Sequence, residues 1–256
     1  RPPWFNCACC PPNIMRTVAS IGAFAATYTD DGVQIHQFMP TSITAPVGAA
    51  QVRLGISTAY PTDGVVTVVV EESGDTEWTL GLRVPGWCRG AKVTVNGSVE
   101  PAQRNDKGYL QVTRVWQPGD VVAYTMPMPM RLTVAHPSVD AVHGMVAIER
   151  GPVVYCLESP DQPDGVDLNH VELLTDRPLR DEVRDSVAGE RATIVRVAAI
   201  ARDDSEWRRT GWAALDDQPD RRGEEVDLVA IPYHLWANRG PSVMRIFTPR
   251  WSDADG

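Results

Sequence analysis

No apolar run in this chain of 256 residues approaches the roughly 20 residues that cross a bilayer. No basic start followed by an apolar stretch opens it, so no secretory leader is visible. Runs rich in lysine or arginine are missing, and the net charge is −9 at pH 7. Together these argue against a membrane surface or a nucleic acid as the main partner. Chemical motifs are missing as well: there is no Gly-rich phosphate loop, no Gly-x-Ser-x-Gly and no basic–aromatic stripe, and no Cys-x-x-Cys lies downstream of Cys10. The sequence has no internal repeat and no low-complexity segment. Cysteine is scarce at five residues, an odd count with three crowded together, which makes a poor disulfide framework. Reduced thiols are expected instead, and with them a cytoplasmic location.

What is there reads as mainly β. At 43% apolar residues the chain can bury proper cores, and its length suits one large or two ordinary domains. A helix is expected over Asn13–Ala26, entered through Pro11-Pro12, with Ile14, Val18, Ile21 and Ala25 at helical spacing. Nothing later offers that stripe a partner helix. This orphan helix and the lack of an initial methionine suggest a fragment or processed piece of a longer protein. From Ala26 the texture becomes short strands: a hairpin through Asp30-Asp31-Gly32, then Val52–Thr58, Val65–Glu71, Trp78–Val84, Lys92–Val95 closed by Asn96-Gly97, Tyr109–Thr113 and Val121–Met126. Strands so spaced suggest an antiparallel sandwich. Met126-Pro127-Met128-Pro129-Met130 cannot continue a central strand and marks a seam. A second strand set follows at Arg131–Ala135, Met145–Glu149, Val153–Leu157, Thr193–Ala199 and Asp227–Ile231. Residues 158–190 and 202–225 read as long surface loops. The last apolar run, Val243–Phe247, is expected to return to the first sandwich.

The densest chemistry lies in Cys7-Ala8-Cys9-Cys10, just before the helix start. Thiolates bind soft metals such as zinc, and a helix start favours a thiolate, so metal or nucleophile chemistry is expected; buried structural thiols are the bland alternative. Three cysteines on one short segment rarely reach every corner of one tetrahedron, so further ligands are expected upstream. Cys88 and Cys156 lie in strand patterns and are expected in cores. His36, His136, His143, His170 and His234 are scattered, although His136 and His143 flank a turn. The acid pairs Glu71-Glu72, Asp216-Asp217 and Glu224-Glu225 invite a glycosidase reading, but neighbours on a strand point to opposite faces and loop pairs are usually solvated. Trp78, Trp87 and Trp116 are expected to pack rather than to stack on sugars.

Phe5-x-Cys7-Ala8-Cys9-Cys10-Pro11-Pro12-Asn13 resembles the signature of the glycoside hydrolase family 127 β-L-arabinofuranosidases. Leu82–Trp87, Val93–Gly97, Gly119–Val122, Met128–Leu132, Glu149–Cys156, Pro232-Tyr233, Trp236–Pro241 and Met244-Arg245 continue the likeness in the family's order. The resemblance implies two antiparallel β-sandwich domains preceded by one helix left over from an (α/α)6 barrel. Residues 1–26 would be the barrel remnant, residues 27–130 plus 239–256 the first sandwich, and residues 131–238 the second. It implies a zinc-dependent retaining hydrolase in which Cys9 is the nucleophile and Cys9 and Cys10 bind zinc, with Cys7 supporting them. The family's acid/base glutamate and remaining zinc ligands precede the motif, so this chain alone is expected to be inactive and without a complete zinc site. Its partners would be a carbohydrate substrate and the missing helical barrel, with a homodimer left open. The rival reading is a non-catalytic carbohydrate-binding or architectural β-sandwich module; a thiol redox protein is disfavoured because no Cys-x-x-Cys pair lies near a βαβ pattern.

Overall fold

A computed structural model describes Cys7, residues 9–203, Trp212, Ala214, Asp216 and residues 223–251. Phe5 and Ala8 of the cysteine motif, Asp217, and most of the stretch 202–225 lie outside the described residues. The expected mainly β architecture is observed, one helix followed by two β units. The chain divides between Met128 and Pro129, where alternate prolines withhold ladder donors.

The first unit opens with helix α1 (Cys10–Ser20), continued by a single 3-10 turn, Ile21–Phe24. The helix thus starts earlier than the periodicity suggests and tightens before Ala26. Eleven strands follow: β1 (Ala26–Thr29), β2 (Gly32–Ile35), β3 (Thr41–Val47), β4 (Ala50–Thr58), β5 (Val65–Glu72), β6 (Trp78–Arg83), β7 (Lys92–Val95), β8 (Ser98–Val99), β9 (Gln103–Arg104), β10 (Tyr109–Arg114) and β11 (Val121–Thr125). They form a five-stranded sheet, β1-β2-β6-β10-β9, and a six-stranded sheet, β3-β4-β5-β11-β7-β8. Alternation fills one core from both sheets: Val52, Leu54 and Ile56, then Val66, Val68 and Val70, meet Leu80, Leu82, Leu110 and Val112. Trp116 is fully buried, and its indole N–H donates to the Trp78 carbonyl at 3.1 Å. One pair departs from the antiparallel rule, since β2 runs parallel to β6. The strands meet so closely there that a Cβ at Gly32 would lie 2.0 Å from the Thr79 carbonyl oxygen. Strand β3 escaped sequence reading because Pro46 and its short polar residues mask the alternation of Ile43, Ala45 and Val47.

The second unit holds β12 (Met130–Thr133), β13 (Met145–Arg150), β14 (Val153–Glu158), β15 (Val171–Leu173), β16 (Arg180–Val187), β17 (Glu190–Arg202), β18 (Gly223–Pro232), β19 (Met244–Arg245) and β20 (Thr248–Pro249). Its main path is β12-β13-β14-β18-β17-β15, with β16 on β17, β19 on β14 and β20 on β13. The path closes on itself. Next to β20, Arg250 bridges Leu173 of β15 in parallel, and the Trp251 N–H donates to the Leu173 carbonyl at 2.9 Å. A ring of strands results, with Val146, Ile148, Tyr155, Leu157, Val195, Val197, Leu228 and Ala230 on one face. Cys156, Ile194, Val229 and Ile231 alternate onto the other, where Leu235 and Trp236 cover them.

Two expectations need correcting here. Residues 239–251 do not return to the first unit, because β19 and β20 pair with β14 and β13 of the second. The edges of β13 and β15 carry backbone groups that need partners, and this segment supplies them. Residues 158–190 are not simply loops, because they contain β15 and β16. Strand β16 reads as a loop since only Val187 is buried in it; its register on β17 and the Arg196 bonds to Glu182 (2.9 Å) and Asp227 (3.1 Å) hold its charged face.

Glu158 ends β14 fully buried. Its carboxylate accepts from the Ala237 N–H at 3.0 Å, from the Ser242 hydroxyl at 2.7 Å and from the Arg239 guanidinium, which also binds Asp161. Burial pushes this carboxyl up, but the Ser242, Ala237 and Arg239 donors outweigh it and hold it below the usual glutamate range. A carboxyl depressed in the folded state stabilises above its unfolded pKa of about 4.3, and that contribution fades as pH falls through the folded value. Glu158→Gln is therefore expected to cost about 3–5 kcal/mol by leaving Arg239 half-paired. Urea unfolding at pH 7 and pH 4 checks this: the wild type should lose stability between them more steeply than the variant, and equal slopes would disprove the role of the carboxylate.

Candidate active site

The three N-terminal cysteines come together. Cys9 is the N-cap of α1 and Cys10 its first residue. The Cys9 sulfur lies 3.2 Å from that of Cys7 and 3.5 Å from that of Cys10, and all three are free and exposed. The helix begins there because the two prolines occupy its first turn, where missing N–H groups cost nothing. The Asn13 N–H closes the first helical bond on the Cys9 carbonyl at 3.3 Å. The prolines also withhold two of the donors that give a helix start its positive field, leaving mainly the Cys10 N–H to favour an anion.

Two thiolates on one tetrahedral zinc at about 2.3 Å stand about 3.8 Å apart. The Cys9–Cys10 separation is close to that, and sulfur is a fitting donor. The pair fits two corners of a zinc site. Among the described residues no group of three or more His, Cys, Asp or Glu side chains is arranged to hold a metal ion. Among the same residues, the hydrogen-bond partners of the Cys9 sulfur are Cys7 and Cys10, with no carboxylate beside it. The helix behind the cluster and the 3-10 turn that continues it carry apolar side chains in solvent: Ile14, Val18 and Phe24 are 64%, 64% and 57% exposed.

The other sequence candidates separate. Both Glu71 and Glu72 reach Arg53, at 2.9 and 2.8 Å, although strand neighbours should face apart; a register shift between Arg53 and Leu54 brings them to one guanidinium. Glu224 and Glu225 lie exposed on β18, and Asp216 is exposed. Trp78 and Trp116 are buried and Trp87 packs against the same core, so none offers a sugar platform. His36 is held between the Tyr109 hydroxyl (2.7 Å) and that of Thr27 (2.8 Å), and burial followed by the Arg83 charge lowers its pKa. His170 stands 3.7 Å from Asp167, and His234 is exposed in a short turn. His136 and His143 line one cavity together with Arg250, a grouping that sequence reasoning missed and for which the flanked turn was the one hint. Cys88 and Cys156 are buried; burial pushes both thiols up, Cys156 to about 12 with help from Glu158 and Asp161. Among the described residues no helix is long and apolar enough to cross a membrane.

Residues 32–128 match the model described as Beta-L-arabinofuranosidase, GH127 middle domain, and residues 130–249 match the Glycoside hydrolase family 127 C-terminal domain. A relative from Bifidobacterium longum subsp. longum, a non-reducing end beta-L-arabinofuranosidase, is 31% identical over 98% of this chain and 38% of its own length. Among solved structures, a GH127 beta-L-arabinofuranosidase from Geobacillus stearothermophilus T6 superposes with a TM-score of 0.86 at 38% identity, over 97% of this chain and 38% of that one. A second GH127 beta-arabinofuranosidase gives a TM-score of 0.84 at 29% identity, over 98% of this chain and 40% of that one. The chain therefore spans well under half the length of these relatives.

Thiol chemistry divides the cysteines by burial and exposure. Native protein treated with a chromogenic disulfide reagent is expected to yield three fast-reacting thiols, with Cys88 and Cys156 reacting only after unfolding. A native count of five would contradict the two buried positions.

Proposed function

The chain belongs to glycoside hydrolase family 127, and from that premise we propose that it is the C-terminal portion of a zinc-dependent retaining β-L-arabinofuranosidase in which Cys9 is the nucleophile. The observation that carries this reading is the placement of Cys9 at the N-cap of α1, its sulfur exposed between those of Cys7 and Cys10. Such a sulfur can attack the anomeric carbon of a bound sugar from one face. The C–O bond to the leaving group breaks as the C–S bond forms, and the leaving oxygen takes a proton from a general acid. Water, giving its proton to the same acid/base group now acting as base, then attacks the anomeric carbon of the glycosyl thioether opposite the sulfur; the C–S bond breaks, returning the thiolate and retaining configuration over two inversions. Cys9 and Cys10 would hold zinc, whose charge keeps the sulfur deprotonated. Cys7 supports the Cys9 sulfur at 3.2 Å.

The general acid/base and the remaining zinc ligands would come from a helical portion preceding α1. That portion would also cover the exposed side chains of Ile14, Val18 and Phe24, whose contact with water is otherwise unfavourable. The five free thiols support a reducing, cytoplasmic setting.

The 256 residues alone are expected to release no arabinose from a chromogenic β-L-arabinofuranoside, and a version extended upstream is expected to do so. In the extended protein Cys9→Ala should lower kcat by at least about 10⁴-fold, the scale on which nucleophile removal acts. Metal analysis should find about one zinc per extended chain, lost in Cys10→Ala. Full activity in the Cys9→Ala protein would refute the nucleophile assignment.

A further inference from the structure

A cavity of about 220 Å³ opens in the second unit between residues 134–145 and Arg250. Its wall is largely carbon, including Pro137, Val142 and Met145, and carries three nitrogen-bearing side chains, His136, His143 and Arg250. Among the described residues no acidic side chain lines it; Asp140 shares the turn but not the wall. Ring closure assembles the site, because β13 and β20 pair through Met145–Pro249 and Val146–Thr248 and the Arg250 N–H donates to the Gly144 carbonyl at 3.3 Å. Gly144 takes a φ of +74°, which turns the chain from His143 into β13.

Among the described residues, Arg250 differs from the other arginines of this unit. Nine of the eleven described arginines of this unit lie within 4.0 Å of a carboxylate. A tenth, Arg245, donates to Asn169. Among the described residues the Arg250 guanidinium has neither an ion pair nor a side-chain hydrogen bond, in a chain whose net charge is −9. Nearby, the His136 Nδ1 accepts the Ser138 N–H at 3.2 Å, so in the neutral ring the proton sits on Nε2, a donor. Five guanidinium donors beside imidazole donors lack only an acceptor with several oxygens.

We infer that this cavity binds a small ligand carrying a carboxylate or phosphate group. The oxyanion is bound by Arg250 with His136 and His143, and the ligand's carbon face lies against Pro137 and Val142. The volume is below the roughly 300–1,000 Å³ of drug-sized sites, which limits the ligand to a single ring or a short acid. The site uses none of the cysteines and does not rest on the nucleophile reading.

Titration calorimetry of the 256-residue chain with galacturonate, inorganic phosphate and, as a neutral control, arabinose tests the inference. One or both anions are expected to bind saturably at one per chain, and arabinose is not. Binding of galacturonate alone assigns the carboxylate as the recognised group, and binding of phosphate alone assigns the phosphate. Arg250→Gln should weaken the bound anion by at least about tenfold, with His143→Asn weakening it severalfold. Should Arg250→Gln shift the thermal unfolding midpoint, His143→Asn and His136→Asn, both exposed turn substitutions, decide the matter. Failure of both anions to bind, or binding undiminished in the well-folded variants, overturns the site.

Discussion

Backbone groups at the edge of a sheet must find partners, and the second unit is arranged around that requirement. The Met145–Val146 end of β13, which β12 does not reach, and the outer edge of β15 would expose unpaired N–H and C=O groups if the chain stopped at β18. Residues 248–251 join them, pairing with β13 on one side and bridging Leu173 on the other. The interior apolar set from β13, β14, β17 and β18 becomes a core only because the ring is closed around it. Closure also fixes the loop that precedes β20. Glu158 binds Ala237, Arg239 and Ser242, and a buried carboxylate so completely satisfied gives this loop one conformation rather than several.

Those physical terms explain which parts of the fold were legible in the sequence. Strands with one buried face announced themselves: Val66, Val68 and Val70 alternate, and Asn96-Gly97 ends β7 with both residues at positive φ, as a tight hairpin turn demands. Strands whose side chains touch mostly solvent did not. Strand β16 is a strand by its ladder to β17, and ladder bonds are made by backbone, which no residue type encodes. The destination of residues 243–249 was equally hidden, because an apolar run states that it will be buried and not against what.

The candidate site divides in the same way. The cysteine cluster was visible because its residues are neighbours in sequence, and the local helix start was enough to draw three sulfurs together. The cavity at Arg250 differs in this respect. His143 and Arg250 are about a hundred residues apart and meet only through the pairing of β13 with β20. Glu158 and Arg239 are another such pair, one at a strand end and the other in a Gly-Pro loop that reads as mere connection. The prolines after Cys10 show that a motif can have two effects at once. They start the helix that presents the sulfurs and also remove donors that would have held an anion there.

The ring closure also imposes an order of events during synthesis. All eleven strands of the first unit lie between Ala26 and Thr125, so its core can form while later residues are still being made. The second unit has no such option. Its β13 leaves the ribosome about a hundred residues before the segment that completes it, and until then its Met145–Val146 end lacks a ladder partner and the ring around the core is open. Translation pace through the stretch between β13 and β20, and any chaperone acting on nascent chains, therefore bear on this unit far more than on the first.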